Sequence, residues 1–566
     1  MTTSSFPPLL SILIFWPVLG AILVAAVGKS HPERARYWAL GVALVELIPA
    51  VLLLVLFDWS KDGMQLEELV GWLPAFGLAY HVGVDGISVF LVALTALLAV
   101  VALLLSWDDA AGRRPAYAGL VLLLEAGVIG AFAALDLVLF FVFWEAMLVP
   151  MYLLTGVLGG PRRVYAALKF FLYTSAGSLI MLAGILVVRF AQPTPTGAGS
   201  FDIQALAATP LPPGTQGWLF FAFALAFAIK VPLFPLHNWL VDLYSQSPLG
   251  ALVLATMLVK VGAYGFLRIA IPLFPDAARG AAPLISILAV VSILYGAMLA
   301  LAQRDLVRLL AFSSMSHMGF VMLGIFALNM QGIQGASIQL INHGVTVGAL
   351  FAIAALIRRR TRTLELNRLG GLSARWPILA GFFLLVLFSS VGLPGLNSFV
   401  GEFLILLGAF GSNVTLGILA ALGIILAAVY LLNAYRRAMW GEPRSEVSGA
   451  DLRWPEIVAL APLAALVVFI GVFPSTILQP LAGPADAIVR GVTRPSSPEP
   501  SDGASAGFPA VVDGSIDLPV VADSSVRQGE PNLGARVTTA SCSAYSPEWM
   551  APVAFPQWRT APVAFP

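Results

Sequence analysis

Three lysines stand where a membrane would put lipid. Of the 31 Lys and Arg residues, only Lys169, Lys230 and Lys260 fall within long apolar runs. An ammonium group at the bilayer centre costs about 3 kcal/mol or more, so it is kept for a reason. Lys169 is close to Arg162 and Arg163 and can snorkel to the interface; Lys230 and Lys260 are too deep for that. Four acids share the apolar runs: Glu46, Glu125, Glu145 and Glu402. Glu46 and Glu125 read either as structural partners of a polar neighbour or as part of an ion path. Asp85 and Asp136 open apolar runs and read as helix-start residues favoured by the dipole. His317 and His343 lie among Ser313, Ser314, Ser316, Asn342 and Thr346, and His237 follows Lys230. A histidine titrates near neutrality and can relay protons, or it can bond one helix to another. No three of these residues have metal-ligand spacing. Buried ammonium, carboxyl and imidazole groups together point to an ion pathway through the protein interior.

Long helices must hold these groups, and two of those helices are broken. Lys230 is followed by Val231-Pro232-Leu233-Phe234-Pro235-Leu236-His237, and Glu402 is preceded by Val391-Gly392-Leu393-Pro394-Gly395-Leu396-Asn397-Ser398. Prolines inside a bilayer free backbone carbonyls, which are tolerated only within protein or beside water. With about 20 apolar residues per crossing, the chain divides into fourteen spans, near 8–27, 37–57, 83–106, 116–134, 136–158, 164–190, 217–242, 247–270, 281–302, 305–327, 331–357, 377–411, 413–437 and 455–475. The breaks fall in spans seven and twelve. An odd offset makes the two run in opposite directions, a sign of inverted repeats.

Composition agrees: the 566 residues are 59% hydrophobic and 11% charged, with net charge +1, where soluble domains carry about 25% charged residues. A near-neutral chain lacks the basic footprint of nucleic-acid binding. The single cysteine, Cys542, excludes an iron–sulfur cluster or thiolate zinc site built from this chain alone. Neither a Gly-rich dinucleotide fingerprint nor a Walker loop is present. The first apolar run lacks a basic start and reads as a retained span. Connections after odd-numbered spans hold 19 Lys and Arg residues, and those after even-numbered spans hold four. The positive-inside rule then puts both termini outside the cytoplasm.

Several stretches together resemble the M-subunit (subunit 4) family of respiratory complex I. They are Phe143-Trp-Glu-Ala-Met-Leu-Val-Pro-Met-Tyr152, Lys169-Phe-Phe-Leu-Tyr-Thr174, Lys230-Val-Pro-Leu-Phe-Pro-Leu-His-Asn-Trp-Leu240, Leu258-Val-Lys-Val-Gly-Ala-Tyr-Gly-Phe-Leu-Arg268, Ser313-Ser-Met-Ser-His-Met-Gly-Phe320 and Pro394-Gly-Leu-Asn-Ser-Phe-Val-Gly-Glu-Phe403. The resemblance covers about residues 8–480. In the related L and N subunits, and in multi-subunit sodium/proton antiporters, the acid of span twelve is usually a lysine; Glu402 favours the M subunit. The family reads Leu-Pro-Asp-Ala-His after the tryptophan of span seven, whereas this chain reads Leu240-Val241-Asp242-Leu243-Tyr244.

The resemblance implies an all-α polytopic membrane protein of about 14 transmembrane helices, with two inverted five-helix repeats, each with a broken helix. Its expected parts are an N-terminal three-helix segment (1–115), a first repeat (116–270), a second repeat (281–437), a last span (455–490) and a disordered tail rich in Pro, Ser and Gly (491–566). Glu145 would pair with Lys230, Lys260 would be the central switch, His317 and His343 would bridge to the second half, and Glu402 would be the exit acid, with Glu125 and His237 as less direct participants. The implied activity is proton translocation as part of a NADH:quinone oxidoreductase in a bacterial inner membrane. NADH, FMN, iron–sulfur clusters and quinone are expected on partner subunits, and L-like and N-like antiporter subunits on either side. The competing expectations are a subunit of a multi-subunit sodium/proton antiporter and a membrane scaffold.

Overall fold

The structure is a computed structural model that describes residues 8–73, 76–107, 114–191, 200–209, 211–442 and 449–493. The expected tail falls outside the described residues from position 494 onward.

The chain opens with two apolar helices, α1 (Leu9–Ser30) and α2 (Pro32–Leu56). A hairpin follows, of β1 (Gln65–Leu73) and β2 (Leu78–Val84), antiparallel with Leu69 opposite His81 and irregularities at Gln65/Glu68 and Gly71/Leu73. Next come α3 (Ser88–Leu105), α4 (Pro115–Ala133), α5 (Leu137–Ala146), α6 (Leu148–Leu158) and α7 (Arg163–Ala191). Beyond the short α8 (Ile203–Ala208) run α9 (Pro213–Lys230), α10 (Asn238–Gln246) and α11 (Leu249–Gly265); a π-turn at Phe266–Ala270 and α12 (Ile271–Leu273) extend α11. The second half has α13 (Pro275–Leu301), α14 (Leu306–Phe326), α15 (Met330–Thr361), α16 (Leu372–Arg375), α17 (Pro377–Val391), α18 (Asn397–Ser412) and α19 (Val414–Met439). The described chain closes with α20 (Trp454–Val472) and α21 (Ser475–Thr493).

Twelve of these, counting α5–α6 and α11–α12 as single crossings, are long and apolar enough to span a membrane among the described residues. The interrupted spans α9–α10 and α17–α18 complete the fourteen. The helix starts follow from local chemistry. Asp136, Asp305, Asn329 and Asn413 cap α5, α14, α15 and α19 by accepting backbone N–H bonds, satisfying donors that have no intrahelical partner. Proline stands in the first turn of α2, α4, α9, α13 and α17, where its missing N–H costs nothing.

Three features differ from the sequence reading. Span five is two helices meeting at Met147: Pro150 has no N–H to give the Ala146 carbonyl, and its ring crowds that carbonyl. The connection after α2, which the span list leaves blank, is an ordered hairpin. Glu68 on it accepts from the backbone N–H groups of Leu10 (2.7 Å) and Ser11 (3.1 Å) at the start of α1, a carboxylate placed at the positive end of a helix. Finally, α20 is followed by α21, which buries Ile477, Leu481, Ala485, Ile488 and Val492 along one face and packs on α12, α13 and α15.

Burial sorts the helices by role. The apolar stretches of α11, α14 and α15 are buried throughout, whereas those of α2 and α19 are only one-third buried and offer the rest of their surface outward. Lys260, His317 and His343 therefore ride on the three central helices. Asp85 ties the N-terminal segment to this centre. It accepts from the N–H groups of Ile87 and Ser88 at the start of α3, and it pairs with Arg268 of the π-turn.

Candidate functional site

The break in span seven is satisfied by its surroundings. Pro232 and Pro235 free the turn between α9 and α10, the Ile229 carbonyl accepts from the Trp239 indole at 2.8 Å, and the Phe234 N–H donates to Ser292 Oγ of α13 at 2.9 Å. In span twelve, Gly392 and Gly395 take φ of +81° and +91°, conformations that a side chain would strain. Asn342 Nδ2 of α15 donates to the Asn397 carbonyl at 2.7 Å, and Thr346 bonds Ser389 and Asn397 at 2.9 and 3.3 Å. Each break is thus completed by a polar side chain from another helix, as backbone exposed at membrane depth requires.

Lys230, at the end of α9, is fully buried. Its ammonium sits 4.6 Å from the centre of the Trp144 ring, within cation–π range, and Trp144 is held by donation to Ser178 Oγ at 2.9 Å. Glu145 is the carboxylate whose field reaches Lys230. Neither Lys230 Nζ nor Glu145 Oε1 has a hydrogen-bond partner among the described residues, so the pair is near but not locked. Gly262 of α11 abuts Lys230; a methyl group there would meet Lys230 Cβ at 3.0 Å. Two residues back, Lys260 donates to the Thr256 carbonyl at 2.7 Å, with no exposure at all.

From Lys260 the titratable groups continue into the second half. A methyl group on Gly344 would lie 3.8 Å from Lys260 Cε, and the charge of Lys260 reaches His343. His343 Nε2 is 3.3 Å from Ser314 Oγ, and its ring centre is 6.0 Å from that of His317. His317 Nδ1 stands 3.1 Å from Glu402 Oε1, which also accepts from Gln339 Nε2 at 3.3 Å. Gln339, Asn342, His343 and Thr346 share one face of α15 at the three- and four-residue spacing of helical neighbours. That spacing is the signal that could have marked Gln339 from sequence.

The remaining candidates lie apart from this row. Glu125 is fully buried on α4 and faces Glu46 of α2. His237 is stacked on Phe234 with ring centres 6.0 Å apart and meets Tyr295 edge-on. Lys169 forms a 2.7 Å ion pair with Asp242 rather than reaching only for the interface. Tyr244, which stands where the family motif has histidine, is buried edge-on against Phe351, and its hydroxyl has no partner among the described residues. No group of three or more His, Cys, Asp or Glu side chains is placed to hold a metal among the described residues.

Comparison with known proteins places this arrangement. Residues 134–427 match the family described as NADH:quinone oxidoreductase/Mrp antiporter, TM. NADH-quinone oxidoreductase subunit M of Rickettsia bellii (strain RML369-C) is 39% identical over 482 residues, covering 83% of this chain and 96% of the relative. A chain in the structure of respiratory complex I from Thermus thermophilus with bound NADH superposes with a TM-score of 0.78 at 35% identity, covering 85% of this chain and 99% of that one. A chain of the Mrp complex from Dietzia sp. DQ12-45-1b shares the fold, with a TM-score of 0.73 at 22% identity over 86% of this chain and 99% of that one. The interrupted spans, the buried lysines and these matches agree: the chain belongs to the NADH:quinone oxidoreductase/Mrp antiporter transmembrane family, among its subunit M members.

Proposed function

We propose that the chain is the proton-translocating M subunit of a NADH:quinone oxidoreductase and moves protons across a bacterial inner membrane while partner subunits reduce quinone. The observation that carries this reading is the adjacency of Lys260, His343, His317 and Glu402 across the centre of the bundle, each 3% exposed or less. Such a row has no use in a scaffold, and ionisable groups within membrane spans mark proton relays.

Glu145 and Lys230 are the valve. A carboxylate near a buried amine favours its ammonium form; when Glu145 turns away, the proton on Lys230 moves on to Lys260. Lys260 passes it to His343, His317 relays it, and Glu402 releases it. Glu125 and His237 act at one remove. Transport runs from the arginine-rich face to the hairpin face, where both termini lie. Residues 116–270 form the uptake repeat and 281–437 the release repeat. NADH, FMN, iron–sulfur clusters and quinone belong to partner subunits, with L-like and N-like subunits as neighbours in the membrane.

The test is Glu145→Ala or Lys230→Ala in the assembled complex. Proton pumping per quinone reduced falls if the valve is real and is unchanged if it is not. Sodium/proton antiport is the second reading, and it has the shared fold in its favour. It predicts sodium-dependent proton movement without NADH or quinone.

A further inference from the structure

A cavity of about 690 Å³ opens on the arginine-rich face, away from the proton row. Two of its walls are turns, residues 158–161 between α6 and α7 and residues 245–249 between α10 and α11. These turns are fastened together: the Gly160 N–H donates to the Gln246 carbonyl at 2.8 Å, and the Arg162 N–H donates to Gln246 Oε1 at 3.0 Å. The third wall is the end of α15, with Ala355, Arg358 and Arg359 on the helix and Arg362 just past it in a left-handed conformation. No carboxylate is among the described lining residues. Arg359 is engaged by Glu456 at 3.0 Å. Arg358 and Arg362 are exposed and make no ion pair among the described residues; the charge of Arg358 is felt by Asp305 at the start of α14.

Depth says what this cavity meets. The 32 residues of α15 rise about 48 Å, while a hydrocarbon core is about 30 Å thick. The last turn, with Arg358 and Arg359 on it and Arg362 just beyond, therefore stands in the headgroup layer. Guanidinium groups are the side chains best matched to phosphate oxygens, and basic pockets between spans at this level suit anionic headgroups.

We propose that this cavity binds a phosphate group, that of an anionic phospholipid headgroup or, as the other source of the same chemistry, inorganic phosphate. Arg358 and Arg362 hold it, and Arg359, already balanced by Glu456, shapes the wall. The proposal stands independently of the proton reading but bears on it. The wall at residues 245–249 leads into the start of α11, the helix that carries Lys260, and bound phosphate cancels the positive charge that protons approaching there would face.

The test uses the assembled complex in phosphatidylcholine nanodiscs doped with a photoactivatable phosphatidylglycerol, with crosslinked peptides mapped by mass spectrometry. The wild type labels residues 158–161 or 245–249. In R358Q/R362Q this labelling weakens about 30-fold, as expected for losing two interfacial arginines, while R368Q, on the same face but outside the cavity, labels as the wild type does. Inorganic phosphate that displaces the probe supports the site and assigns it to the soluble source; a probe that resists displacement assigns it to lipid. Equal labelling of R358Q/R362Q and wild type overturns the proposal, as does no wild-type labelling at these turns. A photoactivatable phosphatidylcholine provides a readout that needs no variant: labelling the turns as strongly as phosphatidylglycerol does also overturns it.

Discussion

Replacing Glu402 by glutamine removes one charge from the proton row and little else. The amide keeps the shape of the carboxyl group and still accepts from Gln339, so the packing of α18 on α15 is retained. What it loses is the attraction for a proton resting on His317. Glu402 Oε1 and His317 Nδ1 are 3.1 Å apart; at an effective dielectric constant of about 20, opposite unit charges at that separation attract by about 5 kcal/mol. If rearranged water offsets half of this, about 2.5 kcal/mol separates E402Q from the wild type in any step that brings positive charge to this pair, a factor of about 70 in rate. Assembled E402Q complex in proteoliposomes, with lumenal pH and quinone turnover followed together, is expected to pump fewer protons per quinone by the share this chain carries. E402D, which keeps the charge on a shorter arm, recovers part of it. E402Q that pumps like the wild type at equal turnover refutes the assignment of Glu402 as the exit acid.

His81 joins two acidic groups outside the spans, Asp202 and Glu67, and makes the hairpin pH-sensitive. Burial disfavours its charged ring, but hydrogen bonds and charges from Asp202 (2.6 Å) and Glu67 (2.9 Å) outweigh that and raise its pKa to about 9. Because the folded value lies above the unfolded value of about 6.5, the stabilisation is complete below pH of about 6.5 and is lost as pH rises through about 9; allowing for screening at the solvent-facing carboxylates, it amounts to about 2 kcal/mol. Amide hydrogen exchange of residues 65–84, corrected for intrinsic rates, should lose protection over that window, and H81Q should abolish the dependence; an unchanged dependence in H81Q contradicts it. Gly471 of α20 lies against the break in span twelve, where an added methyl group would come 2.3 Å from the Gly395 carbonyl oxygen and 2.4 Å from Leu396 Cα. Backbone cannot yield as a side chain does, so G471A should destabilise the chain by about 1–3 kcal/mol and lower both the thermal midpoint and pumping; a variant matching the wild type in both would show that the contact is dispensable.

The membrane fold was legible because desolvation leaves few ways to cross a bilayer. Span lengths, the breaks at Pro232–Pro235 and Gly392–Gly395, and the deep positions of Lys230, Lys260, His317, His343 and Glu402 are all forced by that cost. The hairpin was not legible. Leu66-Glu67-Glu68-Leu69-Val70-Gly71-Trp72 alternates poorly, and the strand is held by contacts distant in sequence, Glu68 with α1 and His81 with Asp202. The helix α21 was hidden by Pro480 and Pro484 within it, which read as loop signals. The stacking of Lys230 over Trp144 is not legible for a different reason: an apolar stretch so rich in aromatic residues gives no hint of which ring faces the amine.

The hydrogen bond from the Phe234 N–H to Ser292 Oγ reaches from the broken helix of one repeat into the first helix of the other. Ser292 is itself anchored, donating to the Leu288 carbonyl at 2.8 Å. Transporters with inverted repeats commonly work by swinging one repeat against the other, and such a swing would tear this fastening at the point where backbone is least able to find another partner. The molecule is better understood as a stationary frame than as a rocker. Movement that respects this bond is confined to side chains and water inside the frame, without the domain motions that take microseconds or longer.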